Sequence, residues 1–385
     1  MELSVLGGND SKIIVFIVNV GWYFNLHWLE RAEYFKSCGY CIHIIGNFND
    51  VEVKDELTAK GYVCYHLAIK RKSINPFKEI TNLIQLKNLL STIKPDLIHS
   101  ITIKPNIYSG ILNRIIFNKP IIYSVTGLGA VFSSSKLKFF VLRFIVVKLY
   151  KLVSAESAHF IFENSEDYDF FKKIDILKYR NGSVIKGAGI DLIKFKPSIP
   201  PMNKTILFAA RLLEDKGLRC LIEARRQLEE KGFQLSLNVA GIIDSDVSSA
   251  IPIKQIERWS QSGDINWLGN VKDMPNLISM NDVVCLPTTY GEGVPRILIE
   301  AASCQRAIVA TDVAGCREIV SHGVNGYLVT PNDDMLLACF LQNLLEDTNK
   351  LLEFGINGRK KVEEEFSQEV VFEKTLHIYQ KLLGE

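Results

Sequence analysis

Short runs rich in Ile, Val, Leu and Phe, each followed by a longer amphipathic stretch, recur along the 385-residue chain. A strand buried on both faces of a parallel sheet reads as a near-continuous apolar run, and the helix that crosses back over the sheet carries a single apolar stripe. The alternation therefore predicts successive βαβ units. In the first half, strands are expected at Ile13–Val18, Cys41–Ile45, Leu97–His99, Ile121–Val125 and His159–Phe162, with a helix from Asn75 to Lys94 that stops at Pro95. Pro197, Pro200 and Pro201 then punctuate Lys194 to Pro201, which reads as a linker. A second series follows at Thr205–Ala210, Gln234–Ala240, Ile265–Leu268, Asp282–Leu286, Ala307–Ala310 and Gly326–Val329. The chain is longer than one hydrophobic core usually serves. We therefore expect an α/β protein of two tandem Rossmann-like domains. Their residue ranges are 1–195 and 196–363, with a closing helix over 364–385 that crosses back to the first domain.

Ligands of open parallel sheets sit beyond the carboxyl ends of the strands, so the loops there, in a cleft between the domains, are where chemistry is to be sought. Tyr290 to Ala302, YGEGVPRILIEAA, is the most informative of them. Seven residues separate Glu292 from Glu300, and Gly291, Gly293 and Pro295 make a tight turn into a helix start. The backbone N–H groups of Gly293 and Val294 are expected to face the cleft, where a helix start attracts a diphosphate. Two carboxylates beside such an anion make sense as acceptors for hydroxyls: Glu292 for those of a sugar, Glu300 for those flanking the phosphates. The second constellation is Arg211-x4-Lys216-Gly217, directly after a strand. A guanidinium fork and a lysine point charge together neutralise a diphosphate leaving group.

Charge and cysteines narrow the partners. Residues 1–200 hold 26 Lys and Arg against 17 Asp and Glu, and from Leu97 to Ala155 eight basic residues meet no acidic one. The first half thus suits an anionic partner. No nucleic-acid reading module accompanies the charge, and a lipid pyrophosphate or membrane surface fits better. Lys136 to Val153 carries an apolar stripe (Phe139, Leu142, Val146, Leu149, Val153) opposite Lys136, Arg143, Lys148 and Lys151. Its additional Phe140, Phe144 and Tyr150 are expected to dip toward anionic headgroups. No apolar run approaches the ~18 residues of a membrane span, and no secretory signal is expected at the start. The location expected is the cytoplasm, peripherally on the inner face of the plasma membrane. Eight scattered cysteines suit reduced thiols, and Cys38-x2-Cys41 reads as a turn rather than a metal site. The triplets Asp167-Tyr168-Asp169 and Asp244-Ser245-Asp246 are read as structural, so no metal and no cofactor are assigned.

At the Arg-Lys and Glu-x7-Glu motifs the sequence resembles the retaining glycosyltransferases of the GT-B fold. Asn19-Val20-Gly21, Gly189-Ile190-Asp191, DVVCLP at 282–287 and GCREIVSHGVNG at 315–326 extend the likeness along the chain. INPF at 74–77, KPDLIHSITIKPNIYSG at 94–110 and YSVTGLGAVF at 123–132 resemble enzymes that extend undecaprenyl-diphosphate-linked oligosaccharides. The resemblance implies transfer of a hexose or N-acetylhexosamine (GalNAc, GlcNAc or Gal) from a UDP-sugar to a lipid-diphosphate-linked sugar, as in O-antigen or capsule assembly. By it, Arg211 and Lys216 bind the donor phosphates, Glu300 the ribose and Glu292 the transferred sugar, while Gly21 lets a first-domain loop approach the diphosphate. Many relatives carry a histidine where this chain has Thr126. On the acceptor side Thr126, His99 and Lys104 are the candidates. A nucleotide-sugar 2-epimerase of the same fold, or a catalytically silent carbohydrate-binding subunit at the membrane, remain as other readings of the architecture.

Overall fold

The computed structural model describes residues 11–69, 75–133, 137–243, 249–289, 291 and 293–385. Two sheets organise it, and every strand pair in both is parallel. The first contains β1 (Ile13–Val20), β2 (Cys41–Asn47), β3 (Val63–His66), β4 (Leu97–Ile101), β5 (Ile121–Val125), β6 (Ala158–Phe162) and β7 (Gly182–Val184), in the order β3-β2-β1-β4-β5-β6-β7. The second contains β8 (Thr205–Ala209), β9 (Ser236–Ala240), β10 (Asn266–Gly269), β11 (Val283–Leu286), β12 (Ala307–Thr311) and β13 (Gly326–Val329), in the order β10-β9-β8-β11-β12-β13. The order reverses between β1 and β4 and again between β8 and β11. At such switch points the crossovers leave to opposite faces and a crevice opens at the strands' carboxyl ends.

Burial follows from this layering. β1, IIVFIVNV, is apolar without a break from Ile13 to Val18 because helices cover both its faces. One face of the first sheet packs on the Pro76–Ile93, Ile103–Leu112 and Leu137–Val153 helices, through Leu86, Leu90, Ile107, Val146 and Tyr150. On its other face, the last helix, Gln368–Leu383, inserts Val371, Phe372, Ile378 and Tyr379 among Phe16, Phe24, Trp28 and Phe35. A salt bridge from Lys12 to Glu385 at 2.7 Å pins that returning end. The Pro76–Ile93 helix starts where Asn75 caps the amides of Phe77 and Lys78, and ends at Lys94 in the left-handed region just before Pro95.

The proline-rich segment is anchored rather than loose. Ile190 and Phe195 already belong to the second core, and Ile190 exchanges backbone hydrogen bonds with the Phe366–Gln368 segment. Arg306, fully enclosed, donates to the carbonyls of Ser198 at 2.6 Å, Cys304 at 3.0 Å and Ser279 at 2.9 Å. A buried guanidinium requires this many acceptors. Two strands, β3 and β7, were not expected from sequence; both are short edge strands whose residues are mostly half-exposed.

The turn that carries Lys216 closes on backbone. Gly217 has φ +81°, and a Cβ there would lie 2.0 Å from the Pro287 carbonyl oxygen. Gly217→Ala is expected to lower stability by about 2 kcal/mol or more, from left-handed strain and the carbonyl clash together. Denaturant unfolding of the two proteins measures this, and an unchanged midpoint would contradict the close approach.

Candidate active site

The two switch points face one another across a crevice, and the loops leaving β1, β5, β6, β8 and β11 line it. Arg211 follows β8, and Lys216 ends a short 3-10 turn, Glu214–Lys216. That turn is tied to the loop after β11: the Asp215 carbonyl accepts from the Thr289 amide at 2.8 Å and the Thr288 hydroxyl at 3.0 Å. The Thr311 hydroxyl in turn donates to the Thr288 carbonyl. Arg211 and Lys216 are both half-buried, so their charges are only partly screened by water.

Across from them the Gly21–His27 helix presents an aromatic face. The Arg211 guanidinium lies 5.9 Å from the Trp22 ring, and Tyr23 packs against His27 with ring centroids 4.5 Å apart. His27 is pushed down to about 3 by burial, and then by the Arg296, Arg211 and Lys216 cations. At neutral pH it is therefore an uncharged imidazole set among three positive charges. Gly21 heads this helix. Its lack of a side chain also has a packing reason, since a Cβ there would lie 2.5 Å from the Phe48 ring.

The Arg296–Ser303 helix, preceded by Pro295, supplies the opposite wall. Glu300 is 7% exposed, and Arg296 one turn before it donates to its carboxylate at 2.8 Å. Burial raises the Glu300 carboxyl above its ordinary value, against the pull of Arg296. Arg296 also reaches across the crevice, donating to the Leu26 carbonyl at 2.6 Å and lying 3.8 Å from Glu30. Further down the cleft, Lys186 bridges Glu318 and Glu365 at 2.9 and 2.6 Å, and Arg317 meets Glu166 at 2.6 Å.

The structure thus gathers Arg211, Lys216, Glu300, Gly293, Val294, Gly21 and Thr126 around one crevice. Glu292 and Tyr290 lie outside the described residues, as do Lys136 and the Asp244-Ser245-Asp246 triplet. Two expectations need correction. The Val294 amide does not stand open to the cleft: it donates at 3.2 Å to the carboxylate of Glu163, which follows β6. And His99 cannot reach an acceptor. It is fully buried, with Nδ1 2.5 Å from the Tyr379 hydroxyl and Nε2 2.7 Å from the Ser124 hydroxyl, so both ring nitrogens are occupied within the core. Lys104 faces Glu79 in a 3.0 Å salt bridge on the Ile103–Leu112 helix. Asp167 is the helix-capping partner of Asn164, which explains its burial without a metal. Among the described residues no cluster of three His, Cys, Asp or Glu side chains could hold a metal ion.

Sequence reasoning missed Trp22, His27, Arg296 and Glu163. Arg296 lies inside the Glu-x7-Glu segment and was legible there as a cation one turn from Glu300. The others come from elements more than a hundred residues away in sequence. The folded His27 titrates below its ordinary 6.5, so the unfolded chain takes up a proton first as pH falls. Stability is expected to decline from about pH 6.5 toward 3 through this group and to level off below. In His27→Gln that part of the decline disappears. Urea midpoints at pH 7 and pH 5 for both proteins, measured without nucleotide, check it; equal drops would contradict the depressed titration of His27.

Comparison with known proteins agrees with this geometry. Residues 189–361 match the model for glycosyl transferases group 1, and residues 13–164 match that for glycosyl transferase 4-like domains. The chain is 28% identical over 349 residues to the N,N'-diacetylbacillosaminyl-diphospho-undecaprenol alpha-1,3-N-acetylgalactosaminyltransferase of Campylobacter jejuni, covering 86% of this chain and 90% of that protein. It is 25% identical to the capsular polysaccharide biosynthesis glycosyltransferase CapM of Staphylococcus aureus, over 92% and 93% of the two chains. Among solved structures, Anabaena Alr3699/HepE in complex with UDP-glucose superposes with a TM-score of 0.77 at 21% identity, covering 97% of this chain and all of that one. Two matched models that together span both sheets, and full-length similarity to named glycosyltransferases, make this chain a glycosyltransferase that joins a glycosyl transferase 4-like domain to a group 1 domain.

Proposed function

We propose that the protein transfers a hexose or N-acetylhexosamine, with retained anomeric configuration, from a UDP-sugar to a lipid-diphosphate-linked sugar in bacterial surface polysaccharide assembly. The observation that carries this reading is the convergence of Arg211, Lys216 and the 293–303 segment on one crevice. The named activity of the Campylobacter relative supports a lipid-linked acceptor, and the UDP-glucose complex of the Anabaena neighbour supports a UDP donor.

The chemistry follows from the charges. As the bond from sugar C1 to the β-phosphate oxygen lengthens, negative charge builds on the departing UDP and positive charge on the sugar. Arg211 and Lys216 stabilise the first of these, and a fixed cation in a half-buried crevice does so without reorganisation. The acceptor hydroxyl attacks from the same face, its proton passing to the departing phosphate. Glu300 accepts from the ribose, and Glu292 takes the hydroxyls of the transferred sugar. The cross-cleft pairs of Arg296, Lys186 and Arg317 hold the two units together so that water is kept from the donor. No divalent metal is needed in this scheme.

Lys216→Ala is expected to lower turnover about a hundredfold or more while the chain stays folded. The same assay run in chelator is expected to keep its rate. A Lys216→Ala variant with near-normal turnover, or a rate lost in chelator and restored by magnesium, would count against the phosphate assignment.

A membrane contact through residues 136–153 belongs to the same reading, with one change of face. Tyr150 does not point outward: it is fully buried, and its hydroxyl accepts from Asn106 at 3.2 Å. Arg143 is also half-turned inward, donating to the Val131 carbonyl at 3.2 Å. The outward stripe is apolar instead, with Phe140 and Phe144 66% and 62% exposed, joined by Leu137, Val141, Ile145 and Leu152. Lys148 sits over Phe144 at 5.5 Å. On the same side of the first sheet Phe77, Ile80 and Ile84 are also exposed. No described helix is long and apolar enough to cross a membrane, so an interfacial contact is the form this surface fits. Phe140→Ser with Phe144→Ser is expected to weaken binding to anionic vesicles about tenfold, because the exposed rings lose apolar burial. A cosedimentation assay reads it, and unchanged binding would remove the membrane role of this face.

A further inference from the structure

Glu163 has no part in the scheme above, yet it reaches across the crevice to the second unit. It stands one residue past β6, at the carboxyl end where ligands of parallel sheets gather. Its Oε2 accepts from the Val294 amide across the cleft at 3.2 Å. Gly293 permits this approach: a Cβ at that position would lie 1.9 Å from the same oxygen and 3.0 Å from the Thr126 carbonyl oxygen. Two acceptors from the first unit, Glu163 and the Thr126 carbonyl, thus converge with one donor from the second, the Val294 amide.

The kind of ligand group this trio suits follows from its polarity. A phosphate oxygen would meet the Glu163 carboxylate head-on, so the diphosphate is left to Arg211 and Lys216. A cation would meet the positive end of the Val294 N–H. A hydroxyl fits, since it accepts from the amide through its lone pairs and donates its proton to a carboxylate or carbonyl. The Arg31 guanidinium, 2% exposed, lies within electrostatic reach of Glu163.

We propose that Glu163 is a specificity-determining residue that, together with the Val294 amide, recognises one ring hydroxyl of the transferred sugar. This rests on the UDP-sugar reading above and assigns a first-unit residue to the donor's sugar. A site built to bond a hydroxyl discriminates strongly against an analogue lacking it, because its own polar groups are then left unpaired.

The test couples residue to hydroxyl. Affinities for UDP and for UDP-hexoses lacking one ring hydroxyl at a time are measured by calorimetry, with kcat/KM where turnover permits, for the wild type, Glu163→Ala and Glu163→Gln. UDP is expected to bind all three within about twofold, since its contacts lie elsewhere. One deoxy donor is expected to be penalised about tenfold or more in the wild type, to lose that penalty in Glu163→Ala, and to keep part of it in Glu163→Gln. Penalties that are the same in all three proteins, for every analogue, would overturn the assignment while leaving the donor reading intact. Weakening of UDP and all donors alike would likewise overturn it, by making Glu163 a purely structural contact. A wild type that binds no UDP would overturn the donor reading and this inference with it.

Discussion

Arg296 is the interaction on which the arrangement of the crevice depends. It sits in the first turn of its helix, where the macrodipole disfavours a cation, and it is mostly enclosed. Such a charge persists only if its surroundings offset the lost hydration. They do so from both sides of the cleft: Glu300 from its own helix, and Glu30 with the Leu26 carbonyl from the first unit. Because those partners belong to different sheets, satisfying one guanidinium fixes the angle at which the two units meet. The Gly21–His27 helix is thereby held against the loop after β8, which brings Trp22 to Arg211 and His27 into the field of three cations.

Backbone contacts carry the rest of that register. The turn bearing Lys216 can pack on the exit of β11 because position 217 has no side chain, and the Asp215 carbonyl then gathers the Thr288 and Thr289 donors. The backbone that carries Lys216 is therefore positioned by main chain, and a small shift in the β11 loop would move it directly. Far from the crevice, the returning Gln368–Leu383 helix closes the first core and buries His99 against Tyr379. That burial removed a candidate acceptor residue from the site and gave it a structural task.

The two sheets and the placing of the Arg-Lys and Glu-x7-Glu segments at strand ends were legible in the sequence, because parallel strands buried on both faces announce themselves as apolar runs. β3 and β7 were not, since edge strands such as VCYH and GSV are too short and too exposed to carry that signal. Tyr150 was misread for a related reason. Helical periodicity identifies stripes but cannot say which of two apolar stripes on one helix faces the sheet, and the Leu137–Val153 helix has both. Glu163 was illegible because its meaning lies in a partner 131 residues away: an isolated Glu beside a helix cap resembles any solvated carboxylate until Gly293 is brought against it.

The crevice is electrostatically divided, and the division bears on what it can hold. On one side burial, joined by the Arg296, Arg211 and Lys216 cations, keeps His27 neutral far below its usual range. An anion seated there would oppose those cations' effect and draw the imidazole back toward protonation, so His27 would respond to the charge of the ligand without touching it. On the other side Glu163 accepts from the Val294 amide, against the Thr126 carbonyl. A nucleotide diphosphate and a neutral, hydroxyl-rich ring make opposite demands of this kind within one molecule. The cationic side can neutralise the first, and the carboxylate side can read the second only while it stays clear of the phosphates. A UDP-sugar laid across the crevice in the reverse sense would set the diphosphate against Glu163. Under the proposed reading, the same charges that stabilise the leaving group thus fix the direction in which a donor can lie.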